Sequence, residues 1–98
     1  MAQFDVFALP DGTWVVDVQS DLLAIYDTRV VIPLVPPDTD VSAIHRLHPS
    51  YAINGEDRLL ATQLISVVYR RMLGPPIGSL DAHYTTISAA IDKLVGGY

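Results

Sequence analysis

"VVDVQSDLLAIYDTRVVIPL", residues 15–34, holds two apolar runs separated by polar residues and a pair of bare leucines. From Trp14 the alternation has the two-residue period of a half-buried strand, with Trp14, Val16 and Val18 on one face and Val15, Asp17 and Gln19 on the other. The second run, Arg29 to Leu34, reads as another strand of the same sheet. Between them, Leu22 and Leu23 follow "QSD" on a segment that has to be a loop. Exposed apolar side chains mark interfaces more often than chance allows, whereas a leucine pair tucked under its own loop needs no partner. The residues alone leave both readings open.

Upstream, Gln3 to Leu9 is rich in β-branched and aromatic residues and ends at "LPDGT", where Pro10, Asp11 and Gly12 signal a turn. That makes a hairpin whose return strand is Thr13 to Val18. Downstream, "PLVPPDTD" cannot keep donating to a sheet ladder, because Pro33, Pro36 and Pro37 have no amide hydrogen. Residues 35–50 therefore read as a loop or a short helical excursion. "YAINGEDRLLATQ", residues 51–63, then carries Asn54-Gly55 between two short apolar runs, a strong hairpin signal. A further strand, Leu64 to Met72, stops at "GPPIG".

The period changes over Leu80 to Val95. Leu80, Tyr84, Ile87, Ile91, Leu94 and Val95 share one side of a helix, while Asp81, Thr85, Thr86, Ser88, Ala89, Asp92 and Lys93 face away. Ser79 suits the N-cap, Asp81 and Lys93 suit the two ends of the dipole, and Gly96 suits a left-handed terminator. The architecture expected is one domain over residues 1–98, α+β but mostly β: a strongly bent antiparallel sheet of about five strands, with a small second hairpin and one C-terminal helix.

Composition narrows the function classes. The 98 residues hold no cysteine, which excludes disulfides and thiolate metal sites and allows a reducing compartment. "MAQFDVFALPDG" has no basic n-region and no apolar run approaches the roughly 18 residues of a spanning helix, so neither a signal peptide nor a membrane span is expected, and the location expected is cytoplasmic. Eleven acidic against six basic residues give a net charge of −5, which disfavours direct binding to nucleic acid and points to protein partners. Arg70-Arg71 is an adjacent basic pair, too small for a phosphate-binding patch and readable as a solvated strand edge.

Few residues suggest chemistry. His45 and His48 in "HRLHP" have i,i+3 spacing but lack a third ligand, so a surface loop is expected there and no metal or cofactor. Asp17, Asp21, Asp27 and Arg29 could converge around a reacting group, but a structural ion pair between the strands of Asp17 and Arg29 is the simpler outcome. There is no glycine-rich phosphate loop, nucleophile elbow or cysteine nucleophile. No catalytic residue is assigned. What remains is apolar: Leu22-Leu23 and the tail "LVGGY", residues 94–98.

"VDVQSDLL" at 16–23 and "TRVVIPL" at 28–34, in that order and at that distance after the N-terminal "QF", resemble the CcdB family of toxins. The resemblance extends through "YAINGEDRLLATQLISV" at 51–67 and "ISAAIDKLVGGY" at 87–98. It implies an SH3-like barrel and a homodimer that binds the DNA gyrase A subunit and traps the enzyme with its DNA cut. It also implies a cognate antitoxin, with which the toxin can repress its own transcription. By the same resemblance Leu22, Leu23, Asp92, Val95, Gly96, Gly97 and Tyr98 form the gyrase-facing patch. Several family members carry a tryptophan third from the end; this chain has Gly96 there and ends on Tyr98 in place of an aliphatic residue. Two alternatives accompany this reading. One is an endoribonuclease toxin of a related barrel family, with Arg29 and Asp17 or His45 as candidates, and the other is a repressor component without toxicity of its own.

Overall fold

The computed structural model describes residues 2–37 and 47–96. Strands β1 (Asp5–Ala8) and β2 (Trp14–Asp17) form the first hairpin, and β3 (Thr28–Val35) returns alongside β2. A second hairpin, β4 (Ser50–Ile53) and β5 (Glu56–Leu60), joins the end of β3 through Leu34 and Val35. The start of β3 is instead covered by β6 (Ser66–Tyr69), with Thr28 opposite Tyr69 and Val31 opposite Ser66. A two-residue β7 (Gly78–Ser79) closes on β1, giving the order β4-β5-β3-β2-β1-β7 with β6 beside β3. Helix α1 (Tyr84–Gly96) follows. This is a nearly closed, mostly β barrel-like antiparallel sheet with one helix, of seven described strands rather than five.

Both hairpin turns form for the reasons legible in the sequence. Asn54 and Gly55 take φ of 52° and 80°, the paired left-handed conformations that suit a two-residue turn between right-twisted strands. The Leu9–Thr13 turn closes by hydrogen bonds from the Leu9 amide to the Thr13 carbonyl and from Gly12 to Leu9, both 2.8 Å. Gly12, at φ 90°, supplies its left-handed residue. Asp11 accepts from the Thr13 amide at 3.0 Å, a contact that holds its carboxyl below the ordinary carboxylate range.

Three expectations need correction. First, β2 is buried on both faces. Val16 packs with Phe4, Val6, Ile32, Leu34, Leu60, Leu80, Ile87 and Ala90, while Val15 packs on the other side with Phe7, Val31 and Leu73. Alternation in the residues cannot reveal a second apolar layer brought in by the distant segment at Val68 and Leu73. Second, the run from Leu64 to Met72 is not one strand: 3-10 turns at Thr62–Leu64 and Arg70–Met72 bracket the four residues of β6.

Third, the α-helix starts at Tyr84, after a 3-10 turn at Asp81–His83 whose N-cap position is Leu80 and not Ser79, although the Ser79 hydroxyl accepts from the Asp81 amide at 3.2 Å. Its buried arc centres on Ile87 and Ala90 with Ile91 beside them, so Tyr84 and Val95 fall at its rim and are exposed. The stretch 35–50 splits three ways. β3 runs on to Val35, β4 begins at Ser50, and residues 38–46, His45 among them, lie outside the described residues. His48 is not on an open surface loop: it is buried, with its Nε2 2.6 Å from Gln63 Oε1.

Candidate functional site

The segment between β2 and β3 leaves the barrel at Val18 and re-enters at Thr28. Buried polar side chains sit at its root: Asp17, Gln19 and Arg29. Asp17 and Arg29, 0% and 1% exposed, pair across the two strands, with Arg29 Nε and Nη2 each 2.7 Å from Asp17 Oδ2. The second carboxylate oxygen of Asp17 accepts from the Gln19 amide at 3.0 Å. Arg29 Nη2 also donates to the Gln19 carbonyl at 3.4 Å and lies 3.8 Å from Asp21 Oδ1. Burial pushes the Asp17 carboxyl above its ordinary range, opposed by the hydrogen bonds from Arg29 and the Gln19 amide. The expected ion pair is therefore present and closed to solvent. It can hold two strands together, but a substrate cannot reach it.

Gln19 extends this network to the loop. Its side-chain amide donates to the Leu23 carbonyl at 3.0 Å and its oxygen accepts from the Val30 amide at 3.1 Å. Ser20 caps a 3-10 turn at Asp21–Leu23, its hydroxyl accepting from the Leu22 amide at 3.2 Å and its carbonyl from Leu23 at 2.9 Å. The N-terminal segment braces the turn as well, since the Gln3 amide donates to Asp21 Oδ1 at 3.0 Å and the Gln3 side chain to the Val18 carbonyl at 3.1 Å. On the far side Arg70, just after β6, donates from Nη2 to the carbonyls of Ala24 and Tyr26, the latter at 2.8 Å. Its own amide donates to the Asp27 carbonyl at 2.7 Å.

The loop turns its apolar side chains outward. Leu22 is 91% and Ile25 86% exposed, with Leu23 and Tyr26 about half exposed. The leucines are not tucked beneath the loop. The loop thus joins an exposed apolar surface to a backbone held by hydrogen bonds on both sides.

The other sequence-derived residues lie elsewhere on the chain. Asp92, Val95 and Gly96 occupy the last turns of α1, all three exposed, with Val95 78% exposed. Gly97 and Tyr98 lie outside the described residues. The structure brings Leu22 and Leu23 together on the loop, and Asp92, Val95 and Gly96 together on the helix. No hydrogen bond or ion pair is found between those two groups among the described residues. Sequence reasoning missed Ile25 and Tyr26, although "LLAIY" places them in the same loop. It also missed Gln19 and Arg70, whose partners are backbone groups that no residue type reveals. Among the described residues there is no group of three or more metal-ligating side chains, and no helix is long and apolar enough to cross a membrane.

The solved structure of an endoribonuclease from mycobacterial species superimposes with a TM-score of 0.75, covering 98% of this chain and 91% of that one at 16% identity, a likeness of fold alone. No curated protein matches the sequence significantly. The family model for CcdB protein matches residues 3–97, so nearly the whole of the chain with the two hairpins, the braced loop and the helix belongs to the CcdB family.

Proposed function

We propose that this protein is the toxin of a type II toxin–antitoxin module that acts by binding the DNA gyrase A subunit and holding the enzyme with its DNA cut. The observation that carries the reading is the outward apolar loop on a chain of the CcdB family, with Leu22 91% exposed on a turn that Ser20 caps. Leu22 and Leu23 on the loop, with Asp92, Val95, Gly96, Gly97 and Tyr98 at the helix end and tail, make up the gyrase-facing surface. No bond is made or broken by the toxin. It binds the open, cleaved enzyme better than the resealed one, and the difference in affinity sets how far the population moves: about 5.5 kcal/mol carries a two-state equilibrium from one in a hundred to ninety-nine in a hundred.

With Gly96 where several members have tryptophan, Tyr98 is the aromatic anchor of the contact, and anchors of this kind dominate interface energetics. A disordered antitoxin orders on the toxin to release gyrase, and the pair represses its own transcription in the cytoplasm. The working form is a homodimer, which doubles the apolar surface offered to a two-fold symmetric target.

The fold shared with an endoribonuclease supports a second reading, RNA cleavage. Against it stands the burial of Asp17 and Arg29, which removes the acid–base pair that such chemistry would use at those positions. One experiment separates the two. Purified protein added to gyrase and plasmid should accumulate cleaved DNA and block supercoiling while leaving a structured RNA intact. Cleaved RNA with unaffected supercoiling would overturn the gyrase reading.

A further inference from the structure

We propose that Arg70 and Gln19 are positioning residues for the partner-binding loop, acting as an outer clamp and an inner bolt that fix how Leu22 and Ile25 are presented. The inference rests on the gyrase reading for the identity of the partner, but not for the bracing itself. Leu22 through Asp27 are exposed, so burial does not hold this segment in place. Its order comes from hydrogen bonds at both flanks. Gln19, buried, fixes the Leu23 carbonyl from inside and ties the same side chain to Val30 at the start of β3. Arg70 fixes the Ala24 and Tyr26 carbonyls from outside with a single guanidinium nitrogen, and its amide holds Asp27. Because β6 pairs with β3 from Thr28 to Val31, Arg70 is anchored to the strand into which the loop runs.

A cationic donor on two carbonyls is a strong form of hydrogen bonding, and fixing a loop in its bound shape reduces the ordering cost when a partner arrives. The basic pair Arg70-Arg71 then needs no phosphate partner. Arg70 serves the loop, and Arg71 lies over the Tyr69 ring at 4.3 Å.

The test compares wild type, Arg70→Ala, Arg70→Lys and Gln19→Met by hydrogen exchange, thermal melting and binding to a purified gyrase A fragment. Arg70→Ala should accelerate exchange at the amides of Leu23, Ala24 and Tyr26 by about tenfold or more, the scale of one lost charged hydrogen bond, without changing exchange in β1 to β5 or α1. Its melting temperature should stay near wild type while gyrase binding weakens by about tenfold, and Arg70→Lys, which keeps a cationic donor, should recover part of both. Gln19→Met should act on the same three amides. Unchanged loop exchange in Arg70→Ala would overturn the proposal, as would acceleration spread evenly over the whole chain. A wild type that fails to bind gyrase would overturn the choice of partner, while the exchange measurement on the free protein still decides the bracing.

Discussion

Arg29 and Leu22 lie a few residues apart in the chain, and their substitutions should have opposite consequences. Among the described residues Arg29 is the only side chain paired with buried Asp17, so Arg29→Met leaves a carboxylate without its counter-ion and should cost on the order of 3–5 kcal/mol in urea unfolding. Combining it with Asp17→Asn should return part of that loss, because the pair then leaves together. Leu22→Asp, at a position open to water, should change stability by no more than about 0.5 kcal/mol yet abolish growth inhibition, since a charge would have to be desolvated on docking. Thermal melts beside growth curves check both. At this scale the sequence is a partial guide. Asp17 and Arg29 sit on strands whose adjacency follows from a simple meander, so their pairing was readable. Gln19 was not, because its partners are the backbone of Leu23 and Val30, and their distance depends on the path of the loop.

Elements defined by local chemistry were the easiest to anticipate. Asn54-Gly55 and Pro10-Asp11-Gly12 encode their turns within a few residues, and the strands on either side follow from alternation. β6 and β7 were harder, since each exists only through pairing with residues far off in the chain, Val30 with Val67 and Val6 with Gly78. The helix was recognisable by period, yet its buried arc is displaced toward Ala90, a residue too small to weigh in an apolar count. Val95, pushed to the rim, is consequently free to serve an interface. Deleting residues 96–98 should cost about 1 kcal/mol or less, as for other surface changes, while removing growth inhibition if Tyr98 is the anchor. Full toxicity in a folded deletion variant would reassign the contact to the loop alone.

At the scale of the whole molecule, Leu22, Ile25, Val67, Tyr84 and Val95 are all open to solvent. Self-association should cover some of them. Sedimentation at micromolar concentration should show a dimer, and the melting temperature should rise with protein concentration, as it does when folding and association are linked. A monomer with a concentration-independent melt would remove the dimer from the account. The closure of the sheet has a further consequence, for timing during synthesis. Ile87 and Ala90 of α1 complete the cluster around Val6, Val16 and Ile32, and β7 reaches β1 only from a late point in the chain. A nascent chain that has emerged only through β6 therefore displays the Leu22 loop without a finished core beneath it. Such barrels, dominated by non-local pairings, fold in roughly milliseconds to seconds. The core under that loop should therefore close only once α1 is present, and a chain halted before Tyr84 should fail to protect the amides of β1 and β2 from exchange.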